Sequence, residues 1–174
     1  EMYREHVFAF SPKGKLIILP AGAMPLDFAY AVHSAVGDTT IGARINGEVK
    51  SLRRPLKNGD VVEILRGKTA APVVGWEAMT ITGRARSAIR RLVRERDQIE
   101  FRRLGVGLIN QALRRAGIDP IDVKMTHTAQ LAGFESREEM AEAVGRGRIS
   151  SSDIMEAAFP GYRAERFDDD NKMR

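Results

Sequence analysis

The sequence predicts an α+β chain, a small mixed sheet crossed by one helix and followed by an all-helical segment. Three observations lead there. Short apolar runs punctuated by turn formers occupy most of the first 65 residues. One stretch of helical spacing, residues 26–36, interrupts them. After Trp76 the apolar period changes to about 3.6 residues and stays there.

Val7–Phe10 and Leu16–Leu19 read as two strands joined by Ser11-Pro12-Lys13-Gly14, with Pro second and Gly last in the turn. Pro25 stands at a first helical position. Leu26, Ala29, Tyr30, Val32 and Val36 keep helical spacing, and Gly37 is expected to stop that helix. Ile41–Ile45 and Glu48-Val49 flank Asn46-Gly47, a dipeptide suited to a tight hairpin turn. Asn58-Gly59-Asp60 turns into a last strand over Val61–Leu65. This order, with one helix across the sheet, is a ubiquitin-like β-grasp arrangement rather than βαβ repetition.

Residues 67–75 are small and rich in turn formers, as a linker requires. Beyond them Ile81, Ala85, Ala88, Ile89, Leu92 and Val93 form an apolar stripe, with Arg86, Arg90 and Arg94 on another face at four-residue spacing. Gly105 and Gly107 are expected to interrupt the helix, which resumes through Leu113 to Gly117. Ser136 with Glu139 signals a capping box opening another helix. Ser150–Asp153 opens a last one through Phe159, ended by Pro160-Gly161. The expected domains are the end of a preceding linker (1–6), a β-grasp domain (7–66), a linker (67–75), a helical domain (76–162) and a mobile acidic tail (163–174).

The 174 residues include no cysteine, 43% hydrophobic and 29% charged residues, and a net charge of +5. That apolar content is enough for a core, and the absent cysteine excludes disulfide scaffolds, thiolate metal sites and cysteine nucleophiles. No apolar run nears the roughly 20 residues that span a bilayer, so a cytoplasmic location is expected. The chain opens in polar sequence without a start methionine, which suggests part of a longer protein. Charge is uneven: residues 76–118 carry a balance of +6 and residues 119–174 one of −4. A basic middle suggests a surface that meets a polyanion.

Catalytic readings are weak. Asp27, His33 and Ser34 share one short helix, which holds side chains radially outward instead of converging them as a triad requires. Neither a Walker loop nor a Gly-rich dinucleotide turn occurs. His6, His33 and His127 are scattered without zinc spacing. No cofactor and no metal are expected in this chain. Phe8, Phe10, Phe28 and Tyr30 are core candidates rather than a stacking platform.

Val7–Leu65 resembles a TGS domain, the β-grasp module of threonyl-tRNA synthetases, certain GTPases and RelA/SpoT stringent-response enzymes. The residues that carry the resemblance are Phe10–Gly14, Leu19–Ala23, Pro25–His33, Val36-Gly37, Ile45–Gly47 and Leu56–Ile64. Trp76 and Thr82–Arg91 resemble the start of the helical domain that follows TGS in long RelA/SpoT proteins. Two positions depart from the family pattern. Met24 replaces a Thr or Ser before the helix proline, a lost cap that costs about 1 kcal/mol. Arg84 replaces a common Lys, keeping the charge but changing the hydrogen-bond geometry.

The resemblance implies a parent enzyme that makes or degrades guanosine tetra- and pentaphosphate. Its hydrolase and synthetase domains would precede Glu1, and a zinc-finger-like and an ACT-type domain would follow Arg174. The chain would then be regulatory, touching the 3′-CCA end of uncharged tRNA and ribosomal RNA on the ribosome. In some relatives the TGS domain instead docks acyl carrier protein. A helix histidine meeting the last carbonyls is the plain reading of His33; the resemblance implies that it meets the tRNA 3′ end, where an imidazole can stack on a base and donate to a 2′-hydroxyl. Arg84, Arg86, Arg90, Arg91 and Arg94, continued by Arg96, Arg102 and Arg103, suit phosphate, against the alternative of a solvated helix face. Arg44, Lys50, Arg53, Arg54 and Lys57 surround the second hairpin and could steer RNA or an acidic carrier, or serve as edge charges.

Overall fold

A computed structural model describes residues 5–70 and 75–162. It divides into two compact units between Glu95 and Arg96. Residues 1–4 of the expected preceding segment (1–6), the middle of the expected linker (71–74) and the acidic tail 163–174 lie outside the described residues.

In the N-terminal unit, β1 (His6–Phe10) pairs antiparallel with β2 (Leu16–Pro20), placing Phe8 opposite Ile18 and Phe10 opposite Leu16. β3 (Thr40–Ile45) lies between β4 (Glu48–Lys50) and β5 (Val62–Arg66), both antiparallel to it. A parallel bridge from Phe10 to Val61 links the two sheets, so the mixed sheet is two antiparallel pieces joined at one point. Asn46 and Gly47 both take positive φ, 53° and 85°, as a primed hairpin turn requires.

Alternation decides which side chains reach the core. Val7, Ala9, Ile17, Leu19, Ala43, Ile45 and Val62 face inward and pack under Phe28 of α1 (Pro25–Val32). Phe8 and Phe10 occupy the other face and are only half-buried, which corrects their assignment to the core; Phe28 and Tyr30 are buried as expected. On its opposite side α1 buries Leu26 and Tyr30 against Trp76, Ala85 and Ile89. α1 is therefore covered on both sides. Residues 76–95 lie within the N-terminal unit, which differs from the expected boundary at 76.

The single helix expected over 26–36 is two. The chain leaves helical geometry at His33 (φ −168°, ψ 147°) and re-enters as α2 (Ser34–Asp38). Gly37 lies inside α2 instead of ending α1, and the Tyr30 ring sits where a side chain at 37 would be.

α3 runs unbroken from Gly83 to Arg115, so Gly105 and Gly107 do not interrupt it. A Cβ at Gly105 would overlap the Ala141 carbonyl, and one at Gly145 would overlap the Phe101 carbonyl. Two glycines thus allow α3 and α5 (Arg137–Gly145) to approach backbone to backbone. α3 ends in a Schellman turn: Gly117 takes φ 77°, its N–H donates to Arg114 O, and Ile118 N–H donates to Leu113 O. α4 (Met125–Leu131) and α6 (Ser151–Ala158) complete the C-terminal unit around Leu113, Met140, Val144, Ile154 and Met155. Ser150 and Asp153 form a reciprocal capping box for α6, and Ser136 caps α5 through Glu139 N–H. α4 was not foreseen; Lys124 at its start makes no side-chain cap, so the usual signal is absent.

Within this unit Glu142 lies 3.4 Å from both Arg102 and Arg146. Burial raises its pKa, but a hydrogen bond with Gln98 and the two guanidinium charges outweigh that and hold the carboxyl below its usual range. Arg146 also stacks over the Phe101 ring, 4.4 Å from its centroid.

Candidate nucleic-acid interface

The sequence singles out His33 and nine cations: Arg44, Lys50, Arg53, Arg54, Arg84, Arg86, Arg90, Arg91 and Arg94. All of them fall within the N-terminal unit.

His33 occupies the break between α1 and α2 and is exposed. Its backbone N–H donates to Ala29 O, closing α1, while its Nδ1 accepts from Ala35 N–H at 3.0 Å, opening α2. The ring therefore caps a helix start; it does not meet the last carbonyls of α1. With Nδ1 accepting, the neutral imidazole carries its proton on Nε2, which is left as a donor. Arg66, which sequence reasoning missed, donates from Nε to Thr39 Oγ1 at 2.9 Å and from Nη2 to Ala35 O at 3.3 Å. It thus binds α2 two residues from His33.

Tyr30 lies on the buried side of the same corner, and its hydroxyl donates to Asp38 at 2.8 Å. Burial, the Asp38 hydrogen bond and the Asp38 charge push the phenol well above the usual tyrosine range, with the Arg91 charge opposing them. Arg91 of α3 is thus electrostatically within reach of the α1–α2 corner.

The cations differ in what already holds them. Arg44 pairs with Glu63 at 3.5 Å, and Lys50 bonds Glu48 at 2.9 Å, holding that carboxyl below its usual range. Arg86 donates to Thr80 O at 3.0 Å, so it fixes the turn before α3. Arg90 donates to Glu77 at 2.7 Å, and Arg91 lies 3.9 Å from Glu95. Arg53, Arg54, Arg84 and Arg94 are exposed, and their guanidinium groups have no hydrogen-bond or ion-pair partner among the described residues. These four are the cations with guanidinium donors to spare.

Asp27 is the largest omission of the sequence reading, where it figured only as a weak catalytic candidate. It is 1% exposed. Its carboxylate accepts from Met24 N–H (2.9 Å), Ile81 N–H (3.1 Å), Thr82 N–H (3.0 Å) and the Thr82 hydroxyl (2.8 Å). Thr82 in turn accepts from Ala85 N–H at 3.2 Å and caps α3. One carboxylate thus ties the start of α1 to the start of α3. Its position three residues into α1, where a capping-box acid sits, was the available signal. The Met24 side chain makes no cap bond. Among the described residues no group of three or more His, Cys, Asp or Glu side chains is placed to hold a metal ion. No helix among them is long and apolar enough to cross a membrane.

Comparison with known proteins assigns both parts. Residues 7–66 match the TGS domain and residues 92–159 the RelA/SpoT AH domain. The chain is 42% identical over 168 residues to the GTP pyrophosphokinase rsh of Brucella ovis, covering 95% of this chain and 22% of that protein. It is 32% identical over 165 residues to a guanosine-3′,5′-bis(diphosphate) 3′-pyrophosphohydrolase of Aquifex aeolicus, covering 95% of this chain and 24% of that one. It is 33% identical over 159 residues to the bifunctional (p)ppGpp synthase/hydrolase RelA of Mycobacterium tuberculosis, covering 87% and 21%. The chain spans about a fifth of the length of these relatives. The ubiquitin-like sheet, the helices after it and both matched models agree: the chain carries a TGS domain followed by a RelA/SpoT AH domain.

Proposed function

We propose that this chain is the regulatory, non-catalytic part of a (p)ppGpp synthetase/hydrolase, which it switches by reading the 3′ end of uncharged tRNA on the ribosome. The observation that carries the reading is His33, an exposed imidazole fixed by its Nδ1 bond and flanked by Arg66 on the α2 side. An oriented Nε2–H can donate to a 2′-hydroxyl or phosphate while the ring face stacks on the terminal base. An aminoacyl group would need room that a closely held 3′ end leaves none of, so charged tRNA is rejected by exclusion. Arg53, Arg54, Arg84 and Arg94 supply phosphate contacts farther along the RNA.

The test is alarmone synthesis by the full-length enzyme with ribosomes, with deacylated or aminoacylated tRNA. His33→Ala removes ring and cap together, whereas His33→Asn keeps a good helix cap without the imidazole. Both are expected to lose activation by deacylated tRNA while basal synthesis persists. Full activation in His33→Asn would remove the reading.

A second reading, docking of acyl carrier protein or another regulator on the TGS domain, draws support from the outer sheet face. There Leu16 and Ile18 are 45% and 56% exposed beside the half-buried Phe8 and Phe10. An apolar patch of that kind suits a protein partner. Salt-titrated binding of the chain to deacylated tRNA and to acyl carrier protein separates the two.

A further inference from the structure

The C-terminal unit holds a groove of about 580 Å³ that neither the RNA reading nor the sheet face uses. Val106 and Ile109 of α3 and Met140 of α5 line it, with Ile121 and Met125 from the segment that leads into α4. The close backbone crossing at Gly105 and Ala141 sets the two helices that make its floor. Ile121 is 89% exposed and Val106 48%, although both line the groove beside the core residues Ile109 and Met140. Leaving a large aliphatic side chain in water forgoes most of the gain of burying it. Methionine at the floor is suited to fitting an incoming apolar side chain of variable shape.

The rim is mixed in charge but leaves one cation unpaired. Arg102, Arg114 and Arg137 line it, together with Asp119 and Glu138. Both carboxylates are engaged: Asp119 accepts from Ile121 N–H at 3.0 Å, and Glu138 pairs with Arg137 at 3.2 Å. Arg102 shares Glu142 with Arg146. Arg114 has no carboxylate partner among the described residues. The last turn of α3 thus presents a cation to whatever enters beside Ile121.

We infer that this groove docks an amphipathic helix of a partner protein, with leucine-type anchors at helical spacing on one side and carboxylates on the other. The anchors enter between Val106, Ile121 and Met125, and a carboxylate meets Arg114 at the edge. This is the helix-in-groove mode of recognition, with charge fixing orientation and apolar burial supplying affinity. The proposal concerns the AH domain alone and does not depend on tRNA sensing.

The test uses the whole chain and a synthetic 18-residue helical peptide with leucines at i, i+3, i+4 and i+7 and glutamates elsewhere. Its lysine counterpart and a scrambled peptide serve as controls. The acidic peptide is expected to bind with a dissociation constant of about 10 μM or tighter. Amide shifts should concentrate in residues 102–141, and both controls should bind at least tenfold more weakly. Ile121 is 89% exposed, so Ile121→Asp is expected to leave the fold intact, checked by thermal unfolding; it and Arg114→Glu should each weaken binding at least tenfold. The lysine peptide should recover binding to Arg114→Glu. Equal binding of the scramble, no effect of Ile121→Asp, or shifts outside the groove would overturn the proposal. So would self-association of the chain abolished by Ile121→Asp, which would make a second copy the occupant, or displacement of the peptide by a short RNA.

Discussion

Asp27 shows how much one side chain can organise. A buried carboxylate is tolerable only when donors saturate it, and here three backbone N–H groups and a hydroxyl do so. Asp27→Asn turns one acceptor into a donor facing other donors and is expected to destabilise the N-terminal unit by about 3 kcal/mol, read from chemical denaturation. Met24 is the opposite case. Its backbone is extended (φ −107°, ψ 168°), as an N-cap needs, but its thioether offers no bond. Met24→Thr should complete the reciprocal pair with Asp27 and raise stability by about 1 kcal/mol, seen as a higher melting temperature. The missing cap was legible in the sequence because capping depends on residue type and neighbours. The Asp27 clamp was not, since its partners at Ile81 and Thr82 lie more than fifty residues away.

At the scale of elements, periodicity located the strands and most helices but misjudged what glycine was for. Glycine lowers helix propensity by about 1 kcal/mol, which made breaks at Gly105 and Gly107 the natural expectation. The structure separates the two. Gly105 lies against the Ala141 carbonyl, while a Cβ at Gly107 would meet open space. Gly107→Ala should therefore stabilise the C-terminal unit by about 0.5–1 kcal/mol through propensity. Gly105→Ala should destabilise it by about 2–4 kcal/mol, because backbone carbonyl atoms cannot yield as a flexible side chain can. Thermal unfolding of the two variants side by side checks both signs. The break at His33 was hidden in the same way: local spacing continues through it, whereas the structure has an extended His33 capping α2 and the Tyr30 ring packed on Gly37.

For the whole molecule, the charge split is a coarse guide. It gathered arginines in one stretch but gave no means of telling guanidinium groups used internally from those left over. Arg86 and Arg90 sit beside Arg84 and Arg94 in sequence, yet the first two are held by Thr80 O and Glu77. If RNA binds this surface, replacing Arg84 and Arg94 together by Gln should reduce the slope of log affinity against log salt by roughly 1.4–1.8, at about 0.7–0.9 per phosphate contact. Fluorescence anisotropy with tRNA over a salt series measures it. An unchanged slope would return both residues to the solvated face.

The two Asn-Gly hairpin and turn dipeptides carry a consequence for chemical ageing. Such pairs deamidate when the glycine amide attacks the asparagine side-chain carbonyl carbon. Here the Asn46 carbonyl is held by Val61 N–H at 2.9 Å and the Asn58 carbonyl by Phe8 N–H at 2.8 Å. Each amide is pinned to another strand and cannot rotate into the ring-closing position. Isoaspartate formation at both sites is thereby coupled to local opening of the sheet, and the folded domain protects its own most perishable peptide bonds.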